Sequence, residues 1–321
     1  MTHAGRVAIL GQHSEVRTDV FRVRHVTRYR YARPVTFGRH RAMVRPHETP
    51  DLRLLNMVVE ARPQAGVRWI HDVFSNTVTL FDFSEASDVL EVEARFDIVR
   101  TSFEGAEFPV EEHARTFPFA YSDHERLDLG PLCTPNHEDA DGVVEAFAQR
   151  FAAESGGETW ALLSQMTAAI QSELTYVRRE EPGVQPPAET LTLGTGSCRD
   201  YAELMCEAVR RLGFAARFVT GYLYDPALDS AAYSDGGSAS AEVVGAGATH
   251  AWVQVFLPGA GWIEFDPTNG AVASGRLIRT GVGRTPAQTA PLTGSYIGAP
   301  EDALGLEVSV DISMIAPPIR G

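Results

Sequence analysis

Residues 194–214 read GTGSCRDYAELMCEAVRRLGF. The stretch opens as a Gly-rich turn and continues with Tyr201, Leu204, Met205, Ala208, Val209 and Leu212 at i, i+3, i+4, i+7, i+8 and i+11. That spacing puts one apolar stripe along an α-helix. Gly213 stands where a left-handed C-terminal cap is expected, so Cys198 falls in the first helical turn. There the unpaired N–H groups and the positive end of the helix dipole favour a thiolate. The same N–H groups suit an oxyanion on a carbonyl that the sulfur attacks, and the glycines before it let a substrate backbone come close.

Downstream, THAWVQVF (249–256) and GWIEFDPTN (261–269) are two strand-like runs joined by LPGAG. So short a Gly-containing link predicts an antiparallel hairpin. Pairing residue 256 with 262 or with 260 leaves His250, Trp252, Glu264 and Asp266 on one face, with His250 and Asp266 opposite or diagonal. A slip of one residue would separate them. A carboxylate that orients an imidazole is the partner a thiol nucleophile requires. If this even-numbered face meets the start of the Cys198 helix, a Cys–His–Asp triad forms.

The sequence before this region has a different period. Phe21, Val23, Tyr29 and Tyr31 alternate with Arg22, Arg24, Arg28 and Arg30, and Leu90, Val92, Ala94, Phe96 and Ile98 alternate with charged residues. Shorter β-rich runs lie at 55–61, 67–74 and 78–83, the last two hinged at Ser75-Asn76. Period two with turns between predicts an antiparallel β-sandwich over residues 20–110. A leader (1–19) precedes it and a Pro-, His- and acid-rich linker (111–137) follows. Two helices are expected beyond, one carrying Val144, Phe147 and Phe151, the other Leu163, Met166, Ile170 and Leu174. The catalytic domain with its C-terminal strands fills 138–321, and the Gly/Ser/Ala-rich residues 228–248 read as a mobile surface loop.

The chain has 321 residues and a net charge of −14, and every basic residue other than histidine is arginine. Residues 1–70 hold 13 Arg against 5 acidic residues; the remainder holds 15 against 37. An acidic body speaks against nucleic acid and anionic membranes as partners. The basic start is expected to dock on the acidic remainder, with attraction of an acidic peptide toward the cleft as the second possibility. No apolar run approaches the ~20 residues of a membrane helix, nor is there a signal-peptide core. Together with three widely spaced cysteines, this predicts a cytoplasmic protein.

The motifs GSCRDYAELMCEAVRRLGFAARFVTGY and THAWVQVFLPGAGWIEFDPTNG resemble those of the bacterial transglutaminase-like proteins. VRHVTRYRYARPV resembles the opening of that family's N-terminal β domain, and RTPAQTAPLTGSYIG followed by LEVSVDISM its closing segment. The resemblance implies an α+β architecture in which an N-terminal antiparallel β-sandwich precedes a papain-like core. It implies Cys198 as nucleophile, His250 as base and Asp266 as orienting acid. The expected reaction is acyl transfer through a Cys198 thioester on a peptide or amide substrate, without cofactor. Water as acceptor makes a cysteine protease or amidase, a primary amine makes a true transglutaminase, and a binding module that kept the fold is the non-catalytic alternative.

Other residues carry weaker signals. Cys206 lies eight residues from Cys198 on the same helix, about 12 Å in rise, too far for a disulfide; it and Cys133 read as structural. Arg199 and Asp200 are candidates for orientation or for binding a substrate carboxylate, although an acid at a helix start is favourable on electrostatic grounds alone. Tyr176, Tyr222 and Trp252 are further candidates for the cleft, with Tyr176 suited to the oxyanion site. No spacing supports zinc, calcium, a phosphate-binding loop or a dinucleotide site.

Overall fold

The structure, a computed structural model, describes residues 16–103, 108–179, 183–226 and 247–316. The first half supplies six strands: β1 (Val16–Phe37), β2 (His40–Ala42), β3 (Leu52–Arg62), β4 (Ala65–His71), β5 (Thr77–Phe83) and β6 (Ser87–Phe103). They divide between two antiparallel sheets, as the alternating pattern requires. The inward residues of β6, Leu90 to Ile98, are buried, as are Phe21, Val23 and Tyr31 of β1. The turn at Ser75-Asn76 is the hinge between β4 and β5, and Ser75 adopts a left-handed φ of 63°.

The chain then forms α1 (Asp123–Leu129), α2 (Val143–Glu154), α3 (Thr159–Glu173), β7 (Thr175–Tyr176), α4 (Pro187–Leu193), β8 (Thr195–Gly196) and α5 (Cys198–Arg211). Five antiparallel strands follow: β9 (Ala216–Leu223), β10 (Thr249–Leu257), β11 (Gly261–Asp266), β12 (Ala271–Val272) and β13 (Leu277–Gly283). They order as β12-β11-β10-β9-β13. The last strands are β14 (Leu292–Thr293), β15 (Tyr296–Ile297) and β16 (Ala303–Ala316). Among the described residues no helix is long and apolar enough to cross a membrane.

Helix α5 is the centre of the second half. Tyr201, Leu204, Met205, Ala208 and Val209 pack with Ala251, Val253 and Val255 of β10 and Ile263 and Phe265 of β11. Burying each large member contributes roughly 1.5–3 kcal/mol. Helices α2 and α3 cover α5 through Val144, Phe151, Leu163, Met166 and Ile170. Gly213 closes the helix at φ +90°, a conformation that favours glycine.

The opposite face of this sheet is not solvated. Trp252, Val219, Leu223, Leu277 and Val282 form a second cluster against Phe74 of the sandwich. The two halves are also joined by polar contacts. The Asn76 side chain donates to Val282 O at 2.7 Å and accepts from Val282 N at 2.8 Å, so a single amide pairs with β13 as a strand would. His25 Nδ1 and the Tyr222 hydroxyl lie 2.9 Å apart.

Several boundaries expected from the sequence are redrawn. Strand β1 begins at Val16, inside the expected leader; residues 1–15 lie outside the described residues. The expected linker 111–137 holds α1 and 3₁₀ turns, and packs Ala114, Phe117 and Phe119 into the core of the second half. Tyr121 donates to Phe256 O and accepts from Ala215 N, which pins this strap across the sheet end. The C-terminal strands leave the catalytic half: β15 and β16 pair with β1, and β14 pairs with β2. Both sandwich sheets are therefore completed by chain from the far terminus. Of the expected loop 228–248, all but residues 247 and 248 lies outside the described residues.

The arginines of β1 are spent within the fold. Arg22 meets Asp97, Arg24 meets Glu93, and Arg28 meets Glu91 and Glu307. Arg30 also reaches Glu307. Each lies across a strand boundary on the outer face of the sheet, so these four arginines of β1 are paired with acids of β6 and β16.

Candidate active site

Three elements converge at one end of the β9–β13 sheet. Ser197 caps α5 in a reciprocal arrangement with Asp200, so Cys198 is the first residue of the helix, as its sequence context predicts. Strands β10 and β11 pair with Phe256 opposite Trp262, one of the two expected registers. Trp252 then faces the level of Asp266, and His250 lies diagonal to it. His250 Nε2 and Asp266 Oδ2 are 2.9 Å apart, and both side chains are buried. The other ring nitrogen, Nδ1, is buried without a well-formed hydrogen bond. Cys198 neighbours the imidazole closely enough to stabilise its charged form.

The site forms differently from expectation in one respect. The body of α5 packs on the odd-numbered face of β10 and β11, whereas His250 stacks over Trp252 on the even-numbered side, ring centroids 6.0 Å apart. The meeting place is thus the end of the sheet, where the start of β10, the end of β11 and the first turn of α5 come together.

The electrostatics favour a charged pair. Burial acts to lower the His250 pKa, but the Asp266 carboxylate and the Cys198 side chain outweigh it and carry it up to about 10. Burial likewise opposes ionisation of Asp266, and the His250 charge and hydrogen bonds from His250, Asn269 and Thr268 overcome it, so its pKa is lowered. The carboxylate is held in an Asp-Pro-Thr-Asn turn. Oδ1 accepts from Thr268 N at 3.0 Å and Oδ2 from Asn269 Nδ2 at 2.8 Å. Asn269 was missed in the sequence reading; the signal was there, since an Asp two residues before a free N–H forms such turns readily.

Comparison with known proteins agrees with this architecture. A model of the bacterial transglutaminase-like N-terminal region matches residues 21–99, and one of the transglutaminase-like superfamily core matches residues 145–267. The chain belongs to the bacterial transglutaminase-like family. An uncharacterized protein of Mycobacterium leprae is 28% identical over 316 residues, covering 92% of this chain and 99% of its own length. One from Mycobacterium tuberculosis is 28% identical over 310 residues, covering 92% and 93%. The crystal structure of a candidate cysteine protease from Cytophaga hutchinsonii is similar with a TM-score of 0.64 at 16% identity, covering 94% of this chain and 93% of that one. At that identity the likeness concerns the fold.

The remaining expected site residues of this transglutaminase-like chain divide into two groups. Tyr176 reaches the site. Strand β7 pairs in parallel with β8, placing Tyr176 level with Gly196, two residues before the cysteine. Burial, with a smaller contribution from the neighbouring Cys198, pushes its pKa up to about 12. Arg199 is half-buried beside the cysteine and donates to Arg179 O at 3.0 Å.

Asp200 is buried and fully engaged. Oδ2 accepts from Ser197 N and Ser197 Oγ, each at 2.8 Å, and Oδ1 from Arg179 Nη1 and Gln185 N, each at 2.7 Å. It caps the helix and holds Arg179 and Gln185 against its start, as the helix-start reading expects. Arg179 and Gln185 carried no signal in the sequence. Their role depends on a chain reversal that brings them back to α5.

Tyr222 and Trp252 do not line a cleft. Tyr222 is buried against the sandwich with its hydroxyl on His25. Trp252 is buried in the back-face cluster and serves as a floor beneath His250. Trp252 lies on the sheet face turned from α5, and Tyr222, on the opposite face at the far end of β9, is covered by Phe21, Val23 and Phe96 of the sandwich. Cys206 is buried and its pKa is raised by desolvation, while Cys133 is partly exposed; all three cysteines are free. Among the described residues no cluster of three or more His, Cys, Asp or Glu side chains is arranged for a metal ion.

Proposed function

We propose that the chain is a thiol-dependent acyl-transfer enzyme in which Cys198, His250 and Asp266 act as nucleophile, general base and orienting acid. The observation that carries this reading is the buried His250–Asp266 hydrogen bond, which engages Nε2 and leaves Nδ1 to serve the cysteine. Cys198 attacks the carbonyl carbon of a peptide or amide bond, and His250 holds the thiol proton. When the tetrahedral intermediate collapses, the C–N bond breaks and His250 delivers that proton to the departing amine, leaving a thioester on Cys198. Water then attacks the thioester, His250 takes its proton, and the free acid and thiol are regenerated. The Cys198 backbone N–H at the start of α5 and the Tyr176 hydroxyl would serve as donors to the oxyanion.

Hydrolysis is the favoured outcome, making this a cysteine protease or amidase that needs no cofactor. Transfer to a primary amine is the second reading, because a thioester accepts either nucleophile. Incubating the protein with a mixed peptide library, with and without a primary amine, and following products by mass spectrometry tests both. Cleavage products that vanish in Cys198→Ala support hydrolysis; a mass gain equal to the amine, minus ammonia, supports transfer. Neither product from a folded wild type, with Cys198 no more reactive than a free thiol, supports a binding module instead.

A further inference from the structure

We propose that β4 is a self-pairing edge through which two copies of the chain join their sandwiches into one continuous sheet. The strand is the outer member of the β14-β2-β5-β4 sheet, and among the described residues it pairs with β5 alone. Six of its seven residues are exposed, so neither face is covered. Trp69 is 65% exposed, and Val73, just beyond the strand, is 91% exposed. A row of N–H and C=O groups flanked by exposed apolar side chains is a template for another strand.

The other sandwich edges are blunted, and β4 is not. Strands β14 and β15 are two residues each. Strand β3 carries Arg53, Glu60 and Arg62 and shifts register between Leu54 and Asn56. Strand β16 also breaks register and carries Glu307 and Asp311. Strand β4 runs its full length without a Pro, a bulge or an acidic residue.

Charge complementarity selects a second copy as the occupant. Asp72 N donates to Asn76 O where β4 turns into β5, so even-numbered residues spend their backbone groups on β5. Val67, Trp69 and His71 therefore turn theirs to the open edge. An antiparallel two-fold axis at Ile70 sets Trp69 opposite His71 of the second copy, where the two exchange both backbone hydrogen bonds. The same axis sets Arg68 opposite Asp72, and symmetry repeats the pair, so opposite charges meet twice. It also lays Val67 against the exposed Val73. An axis at Arg68 would bring two guanidinium groups face to face, and one at Trp69 would leave Arg68 opposite Ile70 and Asp72 opposite Gly66. Both charges have capacity for the pair. Arg68 holds Asp82 through Nη2, which leaves Nε and Nη1. The Asp72 carboxylate is fixed by its own turn, Oδ1 accepting from Phe74 N and Asn76 N and Oδ2 from Asn76 Nδ2, which leaves Oδ2 room for another donor.

Sedimentation equilibrium of the full chain from about 1 to 100 μM tests the association. Wild type is expected to move from 35.0 kDa toward twice that mass as concentration rises. Ile70→Arg, which opposes two cations on the axis, should stay at the mass of one chain with an unchanged circular dichroism spectrum. The register is tested by cross-linking. Residues on the axis form a pair without backbone hydrogen bonds, Cα atoms about 4.5 Å apart, within the range of a disulfide. Ile70→Cys treated with diamide should therefore link two copies about tenfold faster than Val58→Cys, an exposed position on β3. Arg68→Cys, which faces Asp72, should match Val58→Cys, and peptide mass spectrometry identifies the linked cysteines. Wild type that stays at 35.0 kDa over the whole range overturns the proposal and leaves the edge to a different partner. A dimer that persists in Ile70→Arg overturns it by placing the contact on another face, and so does an Ile70→Cys that cross-links no faster than Val58→Cys.

Discussion

Asp266 Oδ2 lies 2.9 Å from His250 Nε2, and the same oxygen accepts from Asn269 Nδ2 at 2.8 Å, so the carboxylate that orients the imidazole is itself held from behind. This ordering makes a graded prediction. Asp266→Asn keeps the shape but removes the charge that fixes the imidazole, and should reduce Cys198 alkylation and any amide hydrolysis at least 100-fold. Asn269→Ala removes one charge-assisted hydrogen bond and should cost about 5- to 10-fold. Equal losses in the two variants would show that Asn269 acts directly rather than through Asp266.

Asp200 should behave as a structural hub. Asp200→Ala removes the cap of α5 and the acceptor of the hydrogen bonds from Arg179 Nη1 and Gln185 N. The expected loss is about 3 kcal/mol of unfolding free energy, combining the cap with the lost charge-assisted hydrogen bonds. Urea denaturation measures it, and an unchanged midpoint would contradict the role.

The junction between the two halves is tested at Asn76. Replacing it by Ala strands the buried N–H and C=O of Val282, which both bond to the amide. Each buried unsatisfied group costs about 1–3 kcal/mol, so a loss of about 2–4 kcal/mol is expected in the same assay. Because Phe74 beside it supports the cluster containing Trp252, His250 reactivity should fall as well.

A pH-dependent contribution is expected from His137. It bonds Glu203 at 2.9 Å, and that bond raises its pKa against the effect of burial. A group whose folded pKa exceeds its unfolded value of about 6.5 stabilises the fold fully below that pH. The contribution is lost as pH rises through the folded value. The stability difference between wild type and His137→Gln should therefore be larger at pH 5.5 than at pH 9. A difference that grows with pH would contradict the assignment.

Much of this was legible in the sequence because each signal was local. The period-two runs of β1 and β6 place their own faces, the i, i+3, i+4 stripe of α5 places Cys198 at a helix start, and a five-residue link leaves few registers for β10 and β11. What was not legible depends on distant chain. Glu203, Glu207 and Arg210 occupy the side of α5 that its stripe assigns to solvent, yet all are buried. The 130–137 segment covers them, with Asn136 N and His137 N donating to Glu207 and Leu132 O accepting from Arg210. Likewise, no periodicity in 303–316 reveals that β16 pairs with β1. Nor does the local sequence show that the sandwich covers Tyr222 and Trp252, which sit in separate clusters formed with distant chain.

The central claim is that His250 activates Cys198. The direct measurement is the iodoacetamide alkylation rate of Cys198 from pH 5 to 9, in wild type and His250→Ala, read by peptide mass spectrometry against glutathione. The account predicts wild-type reactivity that persists at pH 6, where a free thiol has become nearly inert, and that is lost in His250→Ala. A wild-type profile that tracks glutathione, unchanged by the substitution, would contradict it.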